Sequence, residues 1–380
     1  MEGKNQIRKI LVIKLRHIGD VLLSAPLFHN LKEAFPDAQL SALVNIGTEE
    51  MLSGNPFVDR VIVYDRSIKQ EPLLRRLSRE VSFFRMLRRE RFDLVLNLTE
   101  GDRGALVALC SGAKLRVGCD ALGRGMVGKS RIFDHLIPHP GPFLHAVEMN
   151  LAFLATLGVA ATHKRVSFHF SETERAYVAA LLAESSLAPA GFFHAHVTSR
   201  WMFKTLPHGK IAFLLDRISE ISGLPLVLTC APDRKEVAYL GALFPLLKAP
   251  YVDLSGALSL KQLGALIASA RFFVGVDSAP MHMAAALDVP VLALFGPSSV
   301  PKWGPWDNAV AANPYRNNNC KQGSGPHLVL QASRPCVPCL RDGCNGSKVS
   351  DCLDFPEEQL REVAAEFLHL LSTTQEVNPR

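Results

Sequence analysis

The stretch that decides the fold is KILVIKLRHIGDVLLSAP, residues 9–26. An apolar run rich in Ile, Val and Leu ends at Leu15, a single glycine follows at Gly19, and a helical pattern starts around Asp20. This order predicts a buried strand, a tight turn and a helix. Phosphate-binding turns at this point of an α/β unit usually carry several glycines and no acid. Asp20 therefore either caps the helix or faces a group that needs a base.

The same alternation of apolar runs and helical patterns continues through both halves of the chain. In the first half we predict a helix from Asp20 to Phe35, a long helix from about Pro72 to Glu90, and strands in SALVN, RVIVYD and FDLVLNL. In the second half we predict strands in FFHAHV, PLVLTC, YVDLSG, RFFVGVD and PVLALFG, with helices between them. Such runs are typical of a parallel sheet that is covered on both faces. The predicted fold class is α/β, with two doubly wound, Rossmann-like domains.

The length of the chain also indicates two domains, because 380 residues are too many for one ordinary core. We place the N-terminal domain at residues 1–170 and the C-terminal domain at residues 171–355. The helical stretch from Ser171 to Leu187 is the expected link. A last helix, residues 356–371, could pack back on the first domain.

The composition is typical of a soluble enzyme, since 48% of the residues are apolar and 21% are charged. The net charge of +6 allows an anionic partner without identifying one. Charges interrupt the short apolar run near the N-terminus, so we expect no signal peptide. No stretch has the roughly 18 uninterrupted apolar residues of a membrane span. We therefore expect a cytoplasmic protein.

The loops after the predicted strands are the candidate binding sites, because ligands of open α/β sheets bind at the carboxyl ends of the strands. The loop after FFHAHV reads TSRWMFKTLP and carries two hydroxyls, Thr198 and Ser199, and two cations, Arg200 and Lys204. Hydroxyls, loop amides and cations together suit a diphosphate. The alternative is a solvated loop that ends in a helix cap.

A second candidate anion site lies in GVDSAPMHMAAAL. Asp277 and Ser278 follow a predicted strand, and His282 falls on the first turn of the next helix. If Asp277 caps that helix, the amides of Ser278 and Ala279 are free donors at its positive end, where phosphate binds well. In the alternative, Asp277 is only the cap and His282 packs against the sheet.

Together with the opening stretch, these two loops resemble glycosyltransferase family 9, the ADP-heptose:lipopolysaccharide heptosyltransferases. ILVIKLRHIGDVLLSAPLFHNLKEAFPDAQLSALVN resembles the N-terminal signature of the family. TSRWMFKTLP resembles its R-x-x-x-K-x-x-P segment, and VGVDSAPMHMAAALDVPVLALFGPSS its D-[ST]-x-x-x-H nucleotide motif. The motifs occur in order, and the resemblance covers nearly the whole chain. The Arg-Trp pair before Lys204 and the Ser-Ala-Pro-Met-His sequence are most similar to the heptosyltransferase III branch.

The resemblance implies the GT-B arrangement, in which two doubly wound domains face each other across a crevice. The N-terminal domain would bind the acceptor and the C-terminal domain the nucleotide sugar. Asp20 would be the general base that takes a proton from the acceptor hydroxyl. Direct displacement at a sugar carbon needs such a base on one face and a stabilised diphosphate leaving group on the other. A bare helix cap stays open as the alternative for Asp20.

The resemblance also implies a set of donor-binding residues. Those in the first loop would bind the diphosphate or ribose, and those in the second would bind the diphosphate and heptose. Glu236 would reach the ribose, and Asp277 would hold sugar hydroxyls or loop amides and not phosphate oxygens. Because cations and helix-end groups would neutralise the diphosphate, we expect no cofactor requirement. The donor-binding set is Thr198, Ser199, Arg200, Lys204, Glu236, Asp277, Ser278, Ala279 and His282.

The implied activity is inverting transfer of heptose from ADP-heptose to an inner-core sugar of lipopolysaccharide. A lipid-linked acceptor implies peripheral contact with the cytoplasmic face of the inner membrane, and we expect no nucleic-acid partner. Three alternatives stay open. They are heptosyltransferase I or II with a different core acceptor, a nucleotide-sugar epimerase, and a non-catalytic nucleotide-sugar-binding protein, which predicts donor binding without turnover.

The predicted helix over residues 72–90 carries an apolar stripe on an arginine-rich background. Its arginines form either a solvated face or a contact with an anionic membrane surface or a phosphorylated lipid core. The glycine-rich stretch GRGMVGKSRI adds Arg124, Lys129 and Arg131 as candidate acceptor-binding residues. The stripe recurs at helical spacing and consists of Leu73, Leu74, Leu77, Val81, Phe84 and Leu87.

Five of the eight cysteines fall late in the chain, and CVPCLRDGC holds one C-x-x-C pair. Four thiolates can hold a tetrahedral zinc, so Cys336, Cys339, Cys344 and Cys352 are candidates for a structural metal site. A strong zinc signature has two such pairs. Reduced thiols or an occasional disulfide are therefore the favoured alternative.

Overall fold

The structure is a computed structural model that describes residues 7–120, 122–138, 141 and 144–377. The chain forms two compact units, Met1–His169 and Phe170–Arg380. This division falls one residue before the domain boundary that the sequence predicts. Each unit is built on its own mainly parallel sheet.

The first unit contains a six-stranded sheet in the order β3-β2-β1-β4-β5-β6, with each neighbouring pair parallel. Its strands are β1 Lys9–Lys14, β2 Gln39–Asn45, β3 Arg60–Tyr64, β4 Leu94–Asn97, β5 Leu115–Cys119 and β6 His135–Ile137. Its α-helices are α1 Ile18–Leu22, α2 Ala25–Ala34, α3 Leu73–Glu90, α4 Asp102–Cys110, α5 Ala146–Leu151 and α6 Phe153–Thr156.

Strand β1 is buried because neighbours pair with it on both sides and helices cover the sheet. Ile10 pairs with Leu40 of β2 and with Leu94 of β4, and the apolar run that predicted the strand lies in the core. The helix predicted from Asp20 to Phe35 is instead two helices, α1 and α2, which meet at Leu23 and Ser24. Pro26 explains the break, since proline lacks the amide that would continue α1 and its ring crowds the preceding turn.

The second unit repeats this topology. Its sheet has the order β12-β13-β11-β10-β7-β8-β9, and only the short edge strand β12 is antiparallel among the described pairs. Its strands are β7 Phe193–His196, β8 Leu226–Leu228, β9 Tyr251–Asp253, β10 Phe273–Val276, β11 Val291–Phe295, β12 Gln322–Ser324 and β13 His327–Gln331. Its α-helices are α7 Glu172–Glu184, α8 His208–Ser222, α9 Arg234–Leu243, α10 Leu260–Ser269, α11 Ala279–Ala286, α12 Val300–Trp303 and α13 Glu357–Val377.

The last helix, α13, belongs to the second unit. The sequence alone had also allowed this helix to pack on the first domain. It packs against α8, and its buried face includes Leu360, Val363 and Phe367. The Phe367 and Phe272 rings form a T-shaped contact with a centroid distance of 5.4 Å. The physical reason is that the apolar stripe of α13 completes the core on the α8 side of the second sheet.

Each sheet has a switch point, where successive strands begin to add on the opposite side of the first strand. In the first unit this point lies between β1 and β4, and in the second between β7 and β10. Loops at the carboxyl ends of these four strands are the expected ligand positions. None of the helices that the structure describes combines the length and apolar content needed to span a bilayer.

Candidate active site

Asp20 lies on the first turn of α1, at the switch point of the first sheet. His17 occupies the N-cap position of this helix, and no side chain caps it. The half-buried Asp20 carboxylate accepts no hydrogen bond and forms no ion pair within the described part of the chain. Asp20 is therefore not the helix cap, and its carboxylate is available to another group.

The segment around Asp20 is held at both ends by buried polar contacts. The Leu15 amide donates to Thr99 Oγ1 (3.0 Å), which joins the ends of β1 and β4. Lys14 Nζ donates to Asn150 Oδ1 (2.9 Å), and Asn150 Nδ2 donates to the Leu23 carbonyl (2.9 Å). These contacts fix the position from which the Asp20 carboxylate points. Lys14 and Asn150 are 136 positions apart, so sequence reasoning missed this link.

A cavity of about 290 Å³ opens beside the same switch point. The structure brings two of the predicted acceptor-binding residues to it, Arg124 and Lys129, whereas the exposed Arg131 does not line it. The lining is Arg16, Glu100, Gly101, Asp102, Leu122, Arg124, Gly125 and Lys129. The cavity therefore presents three cations and two carboxylates to a ligand.

The cations of this cavity differ in how they are partnered. Lys129 is buried and donates to the Glu100 carbonyl (2.8 Å) and to Asp102 Oδ1 (3.1 Å). The Met126 amide and the Lys129 ammonium hold the pKa of Asp102 below its ordinary value. The guanidinium groups of Arg16 and Arg124 have no hydrogen bond or ion pair within the described residues. An anionic group in the cavity would therefore bind to these two arginines more readily than to Lys129, which already has partners.

In the second unit, the loop after β7 is anchored through Glu236. Thr198 Oγ1 donates to Glu236 Oε2 (2.6 Å), and the Ala231 amide donates to the same oxygen (3.3 Å). Glu236 is buried, so its carboxylate holds the loops after β7 and β8 together. The neighbouring Ser199 Oγ accepts from the Trp201 amide (3.2 Å). Contact of Glu236 with a ribose stays a prediction.

The two predicted anion loops meet in an ion pair between Lys204 and Asp277. Lys204 Nζ lies 2.6 Å from Asp277 Oδ2, which connects the loops after β7 and β10 at the switch point of the second sheet. Burial alone would raise the pKa of Asp277. The charge of Lys204 and its hydrogen bond, with smaller contributions from Ser298 and His282, instead hold this pKa below its ordinary value. Asp277 is therefore an ionised anchor for Lys204.

Asp277 does not cap the following helix, so the capping role that both sequence interpretations gave it is wrong. Ser278 occupies the N-cap position of α11, and its buried Oγ has no hydrogen-bond partner in the described residues. The first-turn amides, including that of Ala279, have no intrahelical acceptor, as at any helix start. His282 is buried one turn later, and its ring forms a T-shaped contact with Trp303 at a centroid distance of 6.5 Å. This helix start offers polar donors to an anion beside Lys204.

Arg200 lies on the same loop but stays at the surface. Its guanidinium stacks over the Trp201 ring, with 5.7 Å between the guanidinium carbon and the ring centroid. It forms no ion pair within the described chain. Arg200 is therefore an unpaired cation on the loop that carries Lys204.

Sequence reasoning missed several residues that support this site. Gln331 Nε2 donates to the Gly296 carbonyl (2.9 Å) and the Ser298 carbonyl (2.7 Å), which fixes the loop after β11 beside Asp277. Beneath the strand ends, His194 Nε2 and His196 Nδ1 lie 2.7 and 2.9 Å from Thr229 Oγ1. The sequence did carry a signal for Ser298, because two serines follow the predicted strand PVLALFG in the loop after β11. No local pattern indicated the contacts of Gln331 or the histidines.

The late cysteines do not form the suggested zinc site. Cys336, Cys339, Cys344 and Cys352 are free thiols, of which Cys336 is exposed and Cys352 is buried. Within the described ranges, no group of three or more His, Cys, Asp or Glu residues is placed to hold a metal. The structure therefore does not support a four-cysteine zinc site.

Comparisons with known proteins agree with this architecture. The model of glycosyltransferase family 9 (heptosyltransferase) matches residues 80–326. Lipopolysaccharide heptosyltransferase 3 of Escherichia coli strain K12 is 31% identical over 302 residues, which cover 78% of this chain and 85% of the relative. Lipopolysaccharide heptosyltransferase 1 of Pseudomonas aeruginosa is 25% identical over 339 residues, which cover 88% of this chain and 87% of the relative.

Solved structures share the fold over nearly the whole chain. The glycosyltransferase family 9 protein of Veillonella parvula aligns with a TM-score of 0.77 at 20% identity and covers 96% of this chain and 98% of its own. The Escherichia coli heptosyltransferase WaaC with ADP aligns with a TM-score of 0.69 at 19% identity and covers 94% and 99% of the two chains. The predicted fold class, GT-B with two Rossmann-like domains, is confirmed. Because the family model spans more than half of the chain, the chain belongs to glycosyltransferase family 9 and is a glycosyltransferase.

Proposed function

We propose that this glycosyltransferase is an inverting heptosyltransferase that moves heptose from ADP-heptose to an inner-core sugar of lipopolysaccharide. Two heptosyltransferase 3 proteins of Escherichia coli are 30% and 31% identical to the chain. The relatives named heptosyltransferase 1 or 2 are 24% to 28% identical. This difference favours the heptosyltransferase III reaction over the reactions of types I and II.

The observation that carries the proposal is the Lys204–Asp277 pair beside the start of α11. A lysine ammonium has three donors, and Asp277 takes only one of them. The others are available to diphosphate oxygens, together with the first amides of α11 and the Ser278 hydroxyl. In this proposal Asp277 orients Lys204, and Arg200 adds a cation from the same loop. These groups would stabilise the negative charge that develops on ADP as it leaves.

Asp20 is the proposed general base of the reaction. Its carboxylate would take the proton of the acceptor hydroxyl while the hydroxyl oxygen bonds to the anomeric carbon of heptose. The bond from that carbon to the diphosphate oxygen breaks on the opposite face, and ADP leaves with the bonding electrons. The configuration at the anomeric carbon inverts. The absence of a capping role for Asp20 supports this assignment, because a capping carboxylate would be occupied.

We assign the acceptor to the first domain, residues 1–170, and the nucleotide sugar to the second, residues 171–355. Within the first domain, the cavity lined by Arg16, Arg124 and Lys129 would bind the sugar acceptor and its anionic substituents. In this proposal the enzyme works on the cytoplasmic face of the inner membrane, because its acceptor is lipid-linked. It requires no metal and has no nucleic-acid partner.

The test is ADP release from ADP-heptose with a truncated, heptose-containing core acceptor. We expect release that depends on the acceptor and persists in EDTA. Asp20→Asn should lower the rate by about 10²-fold to 10⁴-fold, because it removes the base, and should retain donor binding. The control is Asp37→Asn, since Asp37 is an exposed carboxylate of the same unit, paired with Arg8. This variant should keep the wild-type rate.

Three outcomes would contradict the proposal. Donor binding without release for any core acceptor would favour the nucleotide-sugar-binding alternative. Equal rates in wild type and Asp20→Asn would remove Asp20 from the reaction. The third outcome is that EDTA abolishes ADP release and added metal restores it. This would show that the cationic groups of the second unit cannot neutralise the diphosphate by themselves.

A further inference from the structure

The first half of α3 leaves its apolar side chains in solvent. Leu73, Leu74, Leu77 and Val81 are 67%, 83%, 51% and 45% exposed. In the second half of the helix the stripe turns inward, and Leu87 is fully buried in the core of the first unit. Four exposed apolar side chains at helical spacing form a patch that a soluble surface rarely presents without a partner.

Arginines continue this exposed side toward the end of the helix. Arg85 and Arg89 follow Val81 at four-residue steps, so they extend the row that Leu77 and Val81 belong to. Their guanidinium groups have no ion pair or hydrogen bond in the described ranges, whereas two carboxylates neutralise Arg79. We name this surface the α3 outer face and define it as Leu73, Leu74, Leu77, Val81, Arg85 and Arg89.

Charge complementarity identifies the kind of partner that fits this face. In a lipid bilayer, the leucines would insert among the headgroups and leave water, which is favourable for apolar side chains. The unpaired arginines beside them can bind the lipid phosphates. A second copy of the chain would bring the same arginines together in a symmetric contact, which like charges oppose. An uncharged protein surface would cover the leucines but leave Arg85 and Arg89 without partners. A bilayer that contains anionic lipid satisfies both parts of the face.

The α3 outer face is also connected to the cavity of the first unit. Glu80, in the middle of α3, accepts two hydrogen bonds from Arg103 (2.6 and 2.7 Å). Arg103 directly follows Asp102, which lines the cavity. The helix that carries the exposed leucines thus supports the rim of the cavity through one bidentate ion pair.

We propose that the α3 outer face docks the protein on a membrane surface rich in anionic lipid and presents the cavity to an acceptor held in that membrane. The identity of the acceptor rests on the proposed function, but docking itself requires no transfer. The leucines supply apolar contact and the arginines supply attraction to the surface, so both are needed for stable association.

The test is flotation of the full chain with vesicles of phosphatidylethanolamine and phosphatidylglycerol, compared with vesicles of phosphatidylcholine alone. We expect binding to the anionic vesicles, and loss of about tenfold or more of the affinity in Leu74→Glu/Leu77→Glu. The matched control is Ile221→Glu/Leu246→Glu, which adds the same charge at exposed apolar positions of the second unit. Arg85→Gln/Arg89→Gln should weaken binding to the anionic vesicles and remove its salt dependence in part.

Circular dichroism and ADP release with a lipid-free acceptor separate docking from folding and from catalysis. The Leu74→Glu/Leu77→Glu variant should keep the wild-type spectrum and the wild-type rate on that acceptor. No wild-type binding to anionic vesicles, or equal losses in both glutamate variants, would overturn the proposal. A dimer that dissociates in Leu74→Glu/Leu77→Glu would also overturn it in favour of self-association. Vesicle binding without any transfer would instead contradict the proposed function and leave docking in place.

Discussion

The Lys204–Asp277 pair compensates a buried charge and, in the proposed function, also places a cation beside the donor. Asp277 is buried, and its charge is compensated chiefly by Lys204. An uncompensated buried carboxylate is costly, whereas replacing both partners by neutral groups of similar shape is often tolerated. The two roles of Lys204 can therefore be separated by removing the charges one at a time.

We predict that Lys204→Met lowers the free energy of unfolding by about 2–3 kcal/mol and lowers kcat/KM for ADP-heptose by about 10²-fold to 10³-fold. The double variant Lys204→Met/Asp277→Asn should recover most of the stability, because no buried charge is left unpaired, but none of the activity. Urea unfolding and steady-state kinetics measure the two effects. Recovery of activity in the double variant would show that Lys204 acts only on Asp277 and does not contact the donor.

At the scale of the element, α13 illustrates packing that completes a core. Phe367 is fully buried against Phe272, on the helix that packs along α8. This contact joins the C-terminal helix to the residue just before β10 of the second sheet. The two phenylalanines are far apart in the sequence. The helix is therefore part of the second unit and not a mobile extension.

We predict that Phe367→Ala destabilises the second unit by about 3–5 kcal/mol, because it removes a large ring and leaves a cavity. Glu362→Ala, at an exposed position of the same helix, should change the free energy of unfolding by less than about 0.5 kcal/mol. Denaturant unfolding followed by tryptophan fluorescence reports this unit, because Trp201, Trp303 and Trp306 all lie in it. Equal effects of the two substitutions would contradict the assigned packing.

At the scale of the whole molecule, buried histidines make the stability of the second unit depend on pH. Burial lowers the pKa of His196 from 6.5 to about 4, and burial also lowers the pKa of His194, with a contribution from His196. Both histidines are therefore neutral in the folded protein at neutral pH. The unfolded chain binds these protons below about pH 6.5, so stability is present above that pH and is lost as the pH falls toward 4.

We predict a loss of about 2 kcal/mol between pH 7 and pH 5 from His196 alone, with a further loss of the same sign from His194. Urea unfolding at several pH values, followed by tryptophan fluorescence, measures it. His194→Gln/His196→Gln should flatten the dependence, whereas His135→Gln, at an exposed position of the first unit, should not. Stability that stays constant or rises as the pH falls over this range would contradict the buried neutral state.

Local pattern alone determined the fold class and the loops that carry the candidate site. Strands β1 and β10 have apolar centres, and Asp277 directly follows β10, whereas Asp20 lies on the first turn of the helix after β1. These features were predictable because strand burial and strand-end chemistry are written in neighbouring residues. The resemblance to glycosyltransferase family 9 rested on the same short segments.

Only the tertiary structure decided what these residues contact. The partner of Lys204 is 73 positions away, and the partner of Lys14 is 136 positions away, so no local spacing could identify them. The predicted stripe on α3 divides into a buried part and an exposed part, because periodicity shows that a helix has an apolar face but not whether the fold covers it. The sequence thus determined which elements and chemical groups are present. Packing determined which groups are paired, which are buried and which stay exposed without a partner among the described residues.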